Sequence, residues 1–202
     1  MEEIVFVTHN KGKALSASKY FKDLKISIYN YELSEPRSDD IKLIATSKVM
    51  EAYQLVNMPC IALDAGFFID ELNGFPKAFV NFALETIGIE GFLKLMEGKV
   101  NRNCSFRECL AYYDGNEIKY FYGETVGSLS NRIHVDNNNS RWSDLWYIFI
   151  PQGFDKTLSE MSVDELNNRQ YIDKSTSAIE EFANWYKEKI NIKVKKHVAN
   201  FK

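Results

Sequence analysis

The chain has 202 residues, 45% hydrophobic and 26% charged, with a formal net charge of −3 at pH 7. That length allows one large domain or two small lobes around a real core, and the composition is that of a soluble globular protein, neither disordered nor collagen-like. The mildly acidic balance excludes a nucleic-acid duplex as the expected partner, so any polyanion must be held by a local pocket.

Residues 3–8 (EIVFVT) form a short β-branched and aromatic run. The polar loop His9-Asn10-Lys11-Gly12-Lys13 follows, then apolar residues at helical spacing. Because the polar residues follow so soon, no signal peptide is expected, and no later stretch approaches the length of a membrane span. Strand, loop and helix in this order make an anion site at the helix N-terminus, where free N–H groups and the helix dipole favour negative charge. Lys11 and Lys13 add positive charge, although G-x-x-x-x-G-K-[ST] is absent and a solvated basic loop is the bland alternative.

Residues 25–31 (KISIYNY) alternate and predict a second strand. Glu32, Glu35, Asp39 and Asp40 cluster in the next loop, and one of them could join Asp64 in binding a hard cation through oxygen. Ser38 or Asp39 is placed to cap a helix running to about Val56. The central stretch is CIALDAGFFIDELNGFP, Cys60 to Pro76. It reads as a buried strand ending at Asp64, a bend at Ala65-Gly66, a second short strand and an Asn73-Gly74 turn. An acid at the end of a buried strand is where open α/β sheets place ligands.

A short helix broken near Gly88 and a second ending at Gly98 are predicted next. CSFRECLAYY and EIKYFYGETVGSL flank Asp114-Gly115 as a hairpin. Cys60, Cys104 and Cys109 lack CxxC spacing, which argues against zinc or a disulfide framework and for a reducing, cytoplasmic compartment. Residues 130–144, with three consecutive asparagines, predict a loop. In that loop His134 has no evident partner and reads as solvated. LWYIFI (145–150) predicts a strand, in which Trp146 is either a core residue or a base-stacking face. Ser162 and Glu165 form a capping box, and a last helix is predicted from Ser175 to Lys189. Residues 1–190 form a single domain in this reading. Residues 191–202 are a basic alternating tail, readable as an edge strand, a docking arm for a protein effector partner or a disordered end. Strands and helices alternate and a hairpin interrupts them, which favours a mixed-sheet α/β domain.

The chain resembles the inosine triphosphate pyrophosphatase family, which hydrolyses non-canonical purine nucleoside triphosphates to the monophosphate and pyrophosphate. The resemblance runs from the first strand to about residue 166. It is carried by ALDAGFFIDELNGFP, LETIGIEGFLKLMEGK, AYYDGNEIKYFYGE and FIPQGFDKTLSEMS, in that order. It implies an elongated mixed β-sheet with flanking helices, two lobes around a central cleft, and a homodimer. T-x-N-x-x-K is present as Thr8, Asn10 and Lys13. The resemblance gives these residues and Lys48 to the nucleotide's phosphates, Glu35 and Asp64 to Mg²⁺, and Asp64 and Lys13 to catalysis; Trp146, read above as a stacking face, is the candidate base contact.

The sequence also departs from the family pattern. The acid before Asp64 is Leu63, the hydroxyl after it is Ala65, and Pro-Gly is Pro76-Lys77. The base-reading segments are replaced around Ser143–Tyr147 and Gln170–Ile172, where Asp144, Arg141 or Arg169 are the available substitutes. These departures lead to the expectation of a nucleotide-binding protein with impaired hydrolysis. Such a protein would hold an ITP or dITP type ligand and act as a sensor or regulatory subunit, in a setting such as anti-phage defence. The alternative is an active Mg²⁺-dependent pyrophosphatase on dITP, ITP or XTP with altered base specificity.

Overall fold

The computed structural model describes residues 3–22, 24–135 and 143–199, with side chains as far as Ile190. A seven-stranded mixed sheet is flanked by helices. The elements are β1 (Ile4–Val7), α1 (Lys11–Tyr20), β2 (Ile26–Tyr29), α2 (Ile41–Val56), β3 (Cys60–Ile69), β4 (Pro76–Lys77), α3 (Val80–Thr86), α4 (Gly88–Leu95), β5 (Asn103–Tyr113), β6 (Ile118–Leu129), β7 (Phe149–Pro151), α5 (Val163–Asn168), α6 (Gln170–Asp173) and α7 (Ala178–Ala199). The strand order is β2-β1-β3-β5-β6-β7, with β4 paired to β3. β1 is parallel to β2 and β3, and the remaining pairings are antiparallel.

The two-residue period of β3 decides which layer covers which face. Ile61 and Leu63 join Phe6, Leu110 and Tyr112 beneath α1 and α7, where Phe182 and Tyr186 pack. Cys60 and Ala62 join Cys109 and Ala111 beneath α2, against Ala45, Val49 and Ala52. Further along the same strands, Phe67 and Ile69 pack with Phe92, Met96 and Phe149 in a separate core. Each fully buried large side chain contributes about 1.5–3 kcal/mol. The long strands β3, β5 and β6 run through both halves, and a cleft opens between the cores.

Several expectations need correction. β3 does not bend at Ala65-Gly66, because β5 pairs with all ten of its residues from Cys60 to Ile69. Asp64 therefore stands in mid-strand opposite Cys109, not at a strand end. The Asn73-Gly74 turn is present but follows a 3-10 turn, Asp70–Leu72, and returns the chain as the short β4. LWYIFI is mostly a 3-10 turn, Asp144–Tyr147, opened by Ser143, whose Oγ accepts from the Leu145 N–H at 3.3 Å; only its end enters β7. The tail is not an edge strand: α7 starts later than expected, at Ala178, and continues to Ala199, in a stretch free of Gly and Pro. The helix cap before α2 is Asp40, whose Oδ1 accepts from Lys42 and Leu43. Ser38 instead accepts from the Asp40 N–H. The Ser162–Glu165 capping box forms as read, and a second one, Thr157–Glu160, precedes it. No described helix is long and apolar enough to cross a membrane.

Candidate active site

β1 covers the edge of β3 only at Cys60 and Ile61, and β4 covers it at Phe67 and Phe68. The edge between them, Ala62 to Gly66, has no strand partner on that side among the described residues. The cleft opens there and reaches both faces of the sheet. Gly66 is needed at its rim: a Cβ there would stand 2.8 Å from the Lys77 carbonyl oxygen.

The loop after β1 supplies the first wall. Asn10 caps α1, its Oδ1 accepting from the Lys13 N–H at 2.9 Å. Thr8 Oγ1 accepts from the Asn10 N–H at 3.2 Å, which fixes the loop from behind. Lys13 reaches across to the open edge, its Nζ donating to the Leu63 carbonyl at 3.3 Å. Burial lowers the Lys13 pKa, against the pull of the Asp64 charge.

On the α2 side, the Lys48 ammonium donates to Glu35 Oε1 at 2.5 Å and to Asp64 Oδ1 at 2.9 Å. Lys48 is buried, and burial works against its charge. The Asp64 charge and the hydrogen bonds that Lys48 donates to both carboxylates outweigh that and raise its pKa. Burial pushes the Asp64 carboxyl up, against Lys48 and Lys13. Its second oxygen, Oδ2, is buried without a hydrogen-bond partner. A buried unsatisfied carboxylate oxygen is costly, and at a cleft it marks a place for a ligand, a water or a cation.

No group of three or more His, Cys, Asp or Glu residues able to hold a metal occurs among the described residues. Glu35 and the free Asp64 oxygen are a two-carboxylate, all-oxygen set. Such a set fits Mg²⁺, which commonly takes one or two carboxylates and completes its shell with water and substrate phosphates.

The cleft is lined by Asn10, Lys13, Glu35, Asp64 and Ala65, then Glu108 and Phe106 of β5, Thr125 of β6, and Trp146 and Arg169 at the far end. Of the residues singled out in the sequence, Asn10, Lys13, Glu35, Asp64 and Trp146 line this one cleft. Thr8 and Lys48 stand behind it, holding the lining residues in place. Trp146 is half-buried: it packs on the second core and also lines the cleft.

Arg169 donates to Asp173 Oδ2 at 2.5 Å and to Ser175 Oγ at 3.2 Å, which fixes its guanidinium at the rim. Asp144, the second substitute, begins the 3-10 turn carrying Trp146. Arg141 and the asparagine-rich segment 137–140 lie outside the described residues. His134 is not solvated and partnerless: its Nδ1 stands 2.7 Å from Glu160 Oε1, and the Arg132 Nε–H donates to its Nε2.

Glu108 is the cleft residue that sequence reasoning missed. Its signal was visible as a carboxylate inside the apolar run CSFRECLAYY. Its Oε2 accepts from the Ala178 N–H at 3.1 Å, at the start of α7. Burial raises its pKa, opposed by that hydrogen bond and by Lys13 and Arg169.

The departure at Leu63 has a structural reading. Leu63 and Asp64 point to opposite faces, and Leu63 is buried under α1 and α7. It therefore takes no carboxylate from the α2 face, where Glu35, Lys48 and Asp64 meet.

The Ham1 family model matches residues 4–185. A dITP/XTP pyrophosphatase of Thermococcus kodakarensis is 36% identical over 189 residues, covering 93% of this chain and 98% of the relative. One of Saccharolobus solfataricus is 33% identical over 189 residues, covering 93% and 96%. In fold, the chain is similar to a HAM1 protein from Coxiella burnetii, with TM-score 0.78, 20% identity and coverage of 93% and 100%. It is also similar to the Ham1 protein of Staphylococcus aureus, with TM-score 0.73, 21% identity and the same coverage.

Proposed function

The chain belongs to the Ham1 family, the inosine triphosphate pyrophosphatase group its sequence resembles, and we propose that it is an active nucleoside triphosphate pyrophosphatase acting on dITP- and XTP-type substrates. The observation that carries this reading is the Asp64 carboxylate. One oxygen is anchored by Lys48 and the other is buried and free at the open edge of β3, beside Lys13 and the α1 N-terminus.

Glu35 and Asp64 would hold Mg²⁺, and the ion when bound supplies neutralisation of the triphosphate charge. Asn10, Lys13 and the α1 N–H groups take the phosphates. Asp64 orients a water for attack at the α-phosphorus and accepts its proton. The new O–P bond forms as the bond from the α-phosphorus to the bridging oxygen breaks, and pyrophosphate leaves. Lys13 stabilises the charge that builds on the leaving group. Trp146 offers a face for the base and Arg169 a donor for an oxo substituent.

The expectation of a silenced sensor rested on Leu63 and Ala65. Leu63 lies on the face away from Asp64, and the Glu35–Lys48–Asp64 group assembles without it, which supports retained chemistry. Relatives sharing about a third of their residues carry the name dITP/XTP pyrophosphatase, which also favours hydrolysis. Calorimetric titration in Mg²⁺ with the non-hydrolysable α,β-methylene analogues of dITP, XTP, dATP and dGTP tests the substrate class. The proposal expects dITP and XTP, which carry a 6-oxo group where dATP carries a 6-amino group, to bind at least tenfold more tightly than dATP; equal affinity for dATP would refute the base assignment.

A further inference from the structure

The cleft crosses the sheet in a fixed order. Asn10 and Lys13 follow β1, Asp64 enters at the open edge of β3 from the α2 face, and Ala65 of β3, Glu108 of β5 and Thr125 of β6 follow on the opposite face, with Trp146 beyond. Neighbouring strands are about 4.8 Å apart. A nucleotide with its phosphates at the β1–β3 end and its base at Trp146 therefore lays its sugar over β5. The residue at that level is Glu108.

The local packing makes room for a carboxylate there. Glu108 is opposite Ala65 on one side and Gly123 on the other. A Cβ on Gly123 would stand 2.7 Å from Glu108 Oε2 and 2.6 Å from the Ala178 nitrogen. The two small neighbours leave space for the side chain in the cleft that Lys13 and Arg169 also line, with Oε2 held by the Ala178 N–H. A carboxylate repels a phosphate but accepts strongly from a hydroxyl.

Resting on the pyrophosphatase reading above, we propose that Glu108 is a specificity residue whose carboxylate accepts a hydrogen bond from the 3′-hydroxyl of the substrate sugar, the hydroxyl that ribo- and deoxyribonucleotides share. Holding the sugar would set the distance between the α-phosphate at Asp64 and the base at Trp146.

The test is a cycle between ligand and protein. Binding of the α,β-methylene analogues of dITP and of 2′,3′-dideoxy-ITP, which cannot be cleaved at that bond, is measured by calorimetry with Mg²⁺ for the wild type, Glu108→Gln and Glu108→Ala. Gln keeps an acceptor for the Ala178 N–H and guards against loss of the α7 cap. In the wild type, removing the 3′-hydroxyl weakens binding about tenfold or more, as for a hydrogen bond to a charged group. In Glu108→Ala that ratio falls to within threefold of unity, and in Glu108→Gln it lies between the two. If the wild type binds both ligands equally, or if Glu108→Ala keeps the full ratio, the proposal is overturned. If the wild type binds dITP and Glu108→Ala lowers turnover with no change in the ratio, Glu108 acts on the chemistry and the proposal again fails. If the wild type binds no purine nucleotide at all, the pyrophosphatase reading fails first and takes this one with it.

Discussion

Lys48 holds two carboxylates with one ammonium, and that arrangement decides what single substitutions do. Glu35 is half exposed and tolerates loss of its partner, whereas Asp64 is buried. Lys48→Met removes the hydrogen-bonded partner of a buried carboxylate, leaving only Lys13 to offset its charge, and should lower stability by about 3 kcal/mol. For a chain of this size that is a drop in Tm of about 6–12 °C, read in a melting curve. Asp64→Asn keeps the shape of the side chain but cannot accept the water proton, so kcat should fall about 10²–10⁴-fold with the fold retained. Glu108 gives a pH prediction. Burial raises its folded pKa above the unfolded carboxylate value, so the folded state binds more protons between those two values. Stability contributed by this group is present at low pH and is lost as pH climbs through that window. Glu108→Gln should therefore melt higher than the wild type at neutral pH, with the difference closing near pH 4. A constant difference across pH would contradict the assignment.

At the scale of elements, the cleft exists because β1 and β4 leave the middle of β3 uncovered. Gly66 permits β4 to approach, with no room for a Cβ against the Lys77 carbonyl. Gly66→Ala should cost about 1–3 kcal/mol and raise KM by displacing the β4 rim, both measurable on one preparation. Much of this was legible in the sequence. The strand-loop-helix around Asn10 and the β5–β6 hairpin follow from local turn and cap chemistry. The bend at Ala65-Gly66 was misread because Gly66 marks close backbone approach, not a break, and only the ten-residue pairing with β5 reveals it. The 3-10 turn at Asp144–Tyr147 was misread because an apolar run of six residues has no period that separates strand from buried turn. Lys77 stands where the family pattern has Gly, and it adopts φ of +56°, the left-handed conformation that favours Gly.

Over the whole molecule, three long strands run from the cores beneath α1, α7 and α2 to the core around Phe92 and Phe149, and the cleft between them is lined by Asn10, Lys13, Glu35 and Asp64 at one end and by Trp146 and Arg169 at the other. The seven-strand mixed α/β fold and the family were legible because motifs occur in order over most of the chain. Glu108 was not, because its role depends on Ala65 and Gly123 from neighbouring strands. The cysteines report on the integrity of the assembly. All three are free and buried, and burial pushes the Cys60 and Cys109 thiols up to about 12. A thiol reagent at pH 8 should leave the native protein unlabelled and modify three sites on unfolding. The most direct test of the central claim is the product stoichiometry from dITP and Mg²⁺, with wild type and Asp64→Asn side by side. The account predicts one pyrophosphate for each dIMP from the wild type and at least a hundredfold less from Asp64→Asn. Bound dITP with no pyrophosphate released, or release of orthophosphate instead, would contradict it.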